Sequence, residues 1–441
     1  MPEFIPFRGL CYNEKKVGGL ADVLTPPYDV ISAEQQEAFY AAHPNNIIRL
    51  ILNKATPQDT DTYGRPQRSA AFFSAWREDG TLVQDAAPAY YLTAVDFSVN
   101  GKPVSRYGLI GLIGLEPFEN GNILPHERTF SKVKTEQLKL LRATHGNFCP
   151  IFSVFSDGRG VIQDITLMVA SHPPEAMFTD GQGLTHRMWR IIDNDAQAQI
   201  RRAFQETTVF IADGHHRYES ALNYSREVAA ATANMDAQHP ANFVMMYLSS
   251  LEDPGLVILP AHRLLKDVPP QKMAAFIDKA SAVFDVEGFS FQPGEAAAAQ
   301  TAFIDCLERH SLNHAFGICI SGDPTFYCLR LKPGVMGRLF NAELAPALID
   351  LDVTIVTRLA LMELLGYDQE RLDDESRIDY ASNASAAIDA WMHGGCDMAV
   401  ILNPTRIEQV QAVAQQGLIM PRKSTYFYPK TISGQVLYHH G

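Results

Sequence analysis

The run TTVFIADGHHRYESALNYSREVAAATAN, residues 207–234, passes from one backbone regime to another with a single glycine between them. Its first part is β-branched and apolar, which predicts a buried strand. From His215 onward the spacing is helical. A chain written this way must set a helix directly on the C-terminal end of a strand, which excludes all-α and all-β folds.

The junction also concentrates polar chemistry. Asp213 falls at the strand's end, and Gly214, His215, His216 and Arg217 fall at the helix N-terminus. Such a turn presents backbone N–H groups and the positive end of the helix dipole. With Arg217 and two imidazoles it forms a candidate phosphate site. Gly214 lets the backbone approach an anion without a Cβ in the way. Asp213 can cap the helix, orient a histidine or hold a magnesium ion. A capped helix with solvated polar groups is the plainer alternative. His216 and Glu219 share a helix face, but no HExxH and no second His/Cys cluster accompany them.

Elsewhere strand and helix signals alternate. NGK between AYYLTAVDFSV and SRYGLIGLIGLEPF predicts a β-hairpin. NNIIRLIL, residues 45–52, predicts a strand, and PQRSAAFFSAWREDG a helix. A helix is expected from Lys134, and EAMFTDGQGLTHRMWRIID predicts another hairpin. After about Lys266 amphipathic helices precede strand candidates. A chain of 441 residues suggests two or three domains. The expected division is an N-terminal α+β domain over 1–267 and a C-terminal α/β domain over 268–441, a mixed α+β class.

Three further stretches carry candidate groups. In ILPHERTFSKVKTEQLKLLRATHGNF, His126, Glu127 and Arg128 follow Pro125, with Lys132, Lys134 and Arg142 beyond. Glu127 beside His126 can serve as a general base, and the local positive charge suits an anionic small molecule. A solvated surface loop is the equal alternative. In MPRKSTYFYPK, Arg422, Lys423, Ser424 and Thr425 are clustered donors, which cradle a phosphate or form a basic turn on an edge strand. In LTPPYDVIS, Tyr28 and Asp29 follow two prolines; such a rigid loop holds functional groups or, the favoured reading, connects domains.

Lys and Arg number 37 against 50 Asp and Glu, a formal charge of −13, which disfavours general binding to nucleic acid and to anionic membranes. The apolar window YGLIGLIGL is too short to span a bilayer. The opening MPEFIPFRGL lacks the pattern of a secretory leader, and six scattered cysteines without CxxC fit reduced thiols. A cytoplasmic protein is the expectation. P-loop, GxGxxG and GxSxG motifs are absent.

In order along nearly the full chain, PFRGLCYN, LTPPYDVIS, NNIIRLIL, LPHERTF, LLRATHGNFCPIF, ADGHHRYESAL, LPAHRLL, LNPTRIEQV and MPRKSTYFYPK resemble the prokaryotic family called domain of unknown function 1015. The ADGHHR turn is similar to the glycine–histidine–arginine turn of the ParB/sulfiredoxin-like superfamily, where it binds nucleotide phosphates. Some members phosphorylate free serine with a DGHHR turn and a glutamate base; others are DNA-partition proteins or sulfiredoxins. The resemblance implies a ParB/sulfiredoxin-like core elaborated with β-hairpins, and a nucleotide role for Asp213, Gly214, His215, His216 and Arg217. It does not reach a catalytic glutamate, so Glu127 stands on its own chemistry. Sulfiredoxin chemistry needs a cysteine where this turn has histidines, and the C-terminal half departs from the small superfamily core.

Together these readings give an expected phosphotransferase using ATP or ADP with Mg²⁺ on a small hydroxylated metabolite, free serine being one case. Catalysis would fall to Glu127, His126 and Asp213, with Asp213 also holding the metal. Nucleotide phosphates would meet Gly214, His215, His216, Arg217, Arg128, Lys423 and Ser424. The alternatives are a non-catalytic nucleotide-sensing or regulatory protein and, disfavoured by the acidic balance, a ParB-like nuclease or DNA-partition factor. The expected partners are the nucleotide and the small molecule, without membrane or nucleic acid; homo-oligomers are compatible with the sequence.

Overall fold

A computed structural model describes residues 3–60, 63–99, 101–127, 131–292, 294–374 and 376–441. The fold is mixed, with helices and strands interleaved throughout. Two compact units emerge, Met1–Val257 with Pro429–Gly441, and Ile258–Tyr428. The expected division at 267/268 therefore lies inside the second unit. Two pairings explain why. The strand His262–Leu265 sits between Ile378–Ala381 and Met398–Leu402 in the second unit's sheet. The last strand, Tyr438–His439, pairs with Gly146–Asn147 of the first.

The first unit is built on a nine-stranded mixed sheet. The hairpin Tyr90–Val99/Lys102–Gly114 forms at the Asn-Gly signal, with Val99 opposite Lys102 and Gly101 at φ 75°. The second expected hairpin, Ala176–Thr179/Thr185–Ile191, extends the sheet on one side. On the other side Phe243–Ser250 lies parallel to Ile151–Phe155, which runs antiparallel to Val209–Asp213. Val209 and Ile211 share a core with Ile200 and Phe204 of the helix Asn194–Phe204 and with Tyr218 of the helix His215–Ala231. A second core joins Leu24, Ile47 and Leu50 near the N-terminus to Ile432 and Leu437 of the tail.

One expected strand is a helix. NNIIRLIL folds as a single turn, Ile48–Ile51. The Asn46 side chain accepts the Ile48 N–H at 2.9 Å and starts the turn. Winding lets Ile47, Ile48, Leu50 and Ile51 all be buried, which a one-sided strand cannot do. The helix expected from Lys134 begins at Ser131 and runs to Thr144.

The second unit holds a six-stranded, wholly antiparallel sheet. Alternate residues of its strands feed two cores. Phe316, Ile318 and Val400 join one, while Cys319, Ala399 and Ile401 join the other with Phe303 and Trp391. Burial on both faces accounts for the unbroken apolar run of Met398–Leu402. Among the described residues no helix is long and apolar enough to cross a membrane.

Candidate functional site

The strand Val209–Asp213 is buried up to its last residue, and its pairing slips between Ile211 and Asp213. Such a bulge re-aims the side chain that follows it. Gly214 then takes φ 94°, a left-handed conformation that glycine adopts without strain, and the helix His215–Ala231 begins. No side chain caps this helix, so its positive end is not satisfied by its own N-cap residue.

Arg217 folds back over Gly214. A Cβ on residue 214 would stand 2.9 Å from the guanidinium carbon, so a side chain there would displace the end of Arg217 besides straining the positive φ. The Arg217 guanidinium donates to the Pro150 carbonyl and, at 2.7 Å, to Asp213 Oδ2. Lys430 Nζ reaches Asp213 Oδ1 at 2.7 Å. All three side chains are nearly buried, at 9%, 12% and 12% exposure for Arg217, Asp213 and Lys430. Burial by itself would raise the Asp213 carboxyl; the charges of Lys430 and Arg217 overcome it and hold the group well below the usual carboxylate range.

The histidines face inward. His126 is 1% exposed and His215 6%. Their rings meet edge to face at 4.9 Å. His126 Nδ1–H donates to the Ile211 carbonyl at 2.7 Å, and the His126 backbone N–H donates to His215 Nε2 at 3.3 Å. An imidazole nitrogen that accepts carries no proton, so His215 is neutral with its proton on Nδ1. Burial lowers both imidazoles, His215 well below its ordinary value. These two histidines thus lock the turn as neutral hydrogen-bonding groups. His216 is half-buried, and burial lowers it too, against the opposing charge of Glu219.

Glu127 follows His126 directly, is half-buried and acts on the His126 ring by its charge. Arg128 lies outside the described residues. Two of the cations expected along this stretch are compensated: Lys134 pairs with Glu219 at 2.7 Å and Arg142 with Glu227 at 2.6 Å. Lys423 and Ser424 belong to the second unit. Ser424 is buried, its hydroxyl donates to the Pro421 carbonyl, and its own carbonyl accepts from Thr405 at 2.7 Å. That hydroxyl holds its turn together. Lys423 sits in the same turn at φ 55°.

Two participants were not chosen from the sequence. Lys430 ends the quoted MPRKSTYFYPK, but a lone lysine after proline makes no local pattern. Asp29, on the loop read as a connector, stands in the field of Asp213, Lys430 and Arg217. The residue is exposed, yet protein crowds its carboxyl, and that crowding together with Asp213 raises it above the ordinary value while Lys430 and Arg217 oppose. Tyr28 beside it lines a cleft of about 500 Å³ with Arg217, Cys149, Phe148, Gln137 and Ser220.

Magnesium on Asp213 fits this arrangement poorly. Both carboxylate oxygens already accept from cations, and among the described residues no three His, Cys, Asp or Glu converge as metal ligands.

The sequence over residues 4–354 matches the family described as "Protein of unknown function (DUF1015)". The chain belongs to that family. No curated protein matches it. Solved structures overlap it weakly. A free serine kinase mutant in complex with ADP aligns with 69% of this chain and 84% of its own, at 10% identity and TM-score 0.33. A conserved hypothetical protein from Pyrococcus furiosus aligns over 71% and 91%, at 11% identity and TM-score 0.33. SbnI from Staphylococcus aureus, truncated at its C-terminus, aligns over 73% and 84%, at 9% identity and TM-score 0.33. Scores this low support no transfer of ligand or activity to the DUF1015 chain.

Proposed function

We propose that the first unit is a nucleotide-dependent phosphotransferase, using ATP or ADP to phosphorylate a small hydroxylated metabolite such as free serine. The observation that carries this reading is the pair of cations, Arg217 and Lys430, gathered around one carboxylate at an uncapped helix N-terminus. Arg217 and Lys430 hold the Asp213 carboxylate between them, and the helix dipole adds positive potential at the turn. A terminal phosphate placed there meets Gly214 without a Cβ, with Arg217 and Lys430 at its sides.

Asp29 has the properties of a general base. The residue is exposed, crowding and Asp213 raise its carboxyl above the ordinary value, and a proline-bounded loop holds it. In the transfer the substrate hydroxyl gives its proton to the carboxylate as its oxygen attacks the terminal phosphorus; the bond to the bridging oxygen breaks and the shortened nucleotide leaves. Glu127 is the second candidate for the same role. His126 and His215 position the turn. Most of the rate would come from placement and charge neutralisation. No step is assigned to a metal held by the protein.

A nucleotide-binding regulator without turnover is the second reading. It is favoured by the internal bonds that already occupy both oxygens of Asp213.

The test is to incubate the full chain with ATP or ADP, Mg²⁺ and a pool of hydroxylated metabolites, and to follow phosphorylated products by mass spectrometry. Arg217→Ala should abolish both nucleotide binding and product. Nucleotide binding unchanged in Arg217→Ala removes the phosphate turn; binding without product in wild type leaves the regulator.

A further inference from the structure

Behind Lys430 and Pro150 lies a second, narrow cleft, which shares those two residues with the Asp213 cluster. Its wall contains Arg106, only 1% exposed. A guanidinium so deeply buried is ordinarily matched by a carboxylate, because an unpaired charge in the interior is costly. Arg106 has none. Its Nε donates to the Tyr247 hydroxyl at 3.1 Å, and the guanidinium lies over the Phe152 ring at 4.7 Å and the Tyr247 ring at 5.5 Å. Asp253 acts on it by charge but makes no ion pair with it. The Asp253 oxygens receive the Tyr107 and Gly255 N–H groups at 3.0 and 2.7 Å. Arg106 Nη1 has no hydrogen-bond partner among the described residues.

A second buried polar atom in the same cleft is also unpartnered. Thr431 is 6% exposed, lines the cleft beside Lys430, and its Oγ1 has no hydrogen-bond partner among the described residues. The fold makes room for the arginine's support. The Tyr247 ring occupies the space where a Cβ on Gly108 would be, 2.0 Å away, so the aromatic shelf depends on a glycine in the neighbouring strand.

We infer that this cleft binds the carboxylate of a small organic acid, with Arg106 Nη1 and Thr431 Oγ1 donating to its two oxygens. One unmatched positive charge calls for one negative charge, since Lys430 is already paired with Asp213. Beyond Arg106 and Thr431 the lining mixes apolar Val95, Ile110 and Ile432 with polar Thr93, His186 and Gln435, and the narrow cleft leaves no room for a nucleotide. The assignment rests on the phosphotransferase reading only for its meaning. If that reading holds, the acid is the acceptor substrate, anchored by its carboxylate while its hydroxyl faces the Lys430 side.

The test uses 3-hydroxypropanoate, its uncharged analogue 1,3-propanediol and inorganic phosphate. Each is titrated calorimetrically into the full chain without nucleotide. Saturable binding of the acid is expected, with the diol at least about tenfold weaker, because a hydrogen bond to a charged group is worth roughly a factor of ten or more. Thr431→Val, which keeps shape and removes the hydroxyl, should weaken the acid on the order of tenfold. Arg106→Gln should abolish binding; if that variant fails to fold, Thr431→Val carries the test. Equal affinity for acid and diol, an acid affinity insensitive to Thr431→Val, or saturable binding of phosphate alone would each overturn the assignment. Saturable, Thr431-sensitive acid binding with no phosphorylated product would keep this cleft and remove the phosphotransferase. Product formation with Thr431-insensitive binding would do the reverse.

Discussion

Lys430 and Asp213 stand 217 residues apart in the chain and 2.7 Å apart in the fold. The contact ties the C-terminal segment of the first unit to the end of its strand Val209–Asp213, at the point where the helix begins. Arg217 holds the other carboxylate oxygen, so Asp213 is fixed from two sides. Removing one cation leaves a nearly buried carboxylate half-compensated.

Lys430→Met should therefore destabilise the protein by about 3 kcal/mol, the typical result of breaking a buried pair from one side. Urea unfolding measures it. Adding Asp213→Asn removes the stranded charge, so the double variant should lose less than the sum of the singles. Strict additivity would mean that the two residues do not act as a pair.

Gly214→Ala tests the turn's geometry. The residue sits at φ 94°, and the new Cβ would press against the Arg217 guanidinium. A loss of about 1–3 kcal/mol is expected for forcing a non-glycine residue there. Because the clash falls on Arg217, nucleotide affinity should drop together with stability. Unaltered ADP affinity in a folded Gly214→Ala protein would separate Arg217 from phosphate binding.

What the sequence revealed follows from distance along the chain. The strand–glycine–helix junction and the Asn-Gly hairpin are written in neighbouring residues, and both formed as read. NNIIRLIL was misread because a short apolar run does not distinguish a strand from one helical turn, and the Asn46 side chain decided it. Lys430 and Asp29 reach the junction through tertiary folding, which no local spacing encodes. His126 and His215 were visible as polar residues, but their burial, and hence their neutrality, depends on the sheet and helices packed around them.

That neutrality predicts acid sensitivity. His126 and His215 have folded pKa values depressed by burial. The unfolded chain takes up protons near the ordinary imidazole value of about 6.5, while the folded protein resists until lower pH. Their stability contribution is complete above that value and is lost as pH falls toward the folded values. Urea midpoints should decline as pH is lowered below about 6.5, and part of that slope should vanish in His215→Gln. An unchanged slope would mean that His215 is protonated in the native state.

The choice between Asp29 and Glu127 is settled by the pH dependence of turnover. A general base works only when ionised, so kcat/KM must fall as pH drops through its pKa. Asp29 is raised by crowding and by Asp213, which moves its acid limb upward from the ordinary aspartate value. Asp29→Asn should lower kcat roughly 10²- to 10⁴-fold, the span expected for loss of a general base, and flatten that limb. Glu127→Gln should then leave the limb in place. The reverse outcome, a normal profile in Asp29→Asn and a flat one in Glu127→Gln, would move the proton transfer to the loop after Pro125 and leave Asp29 as a charge that tunes Asp213.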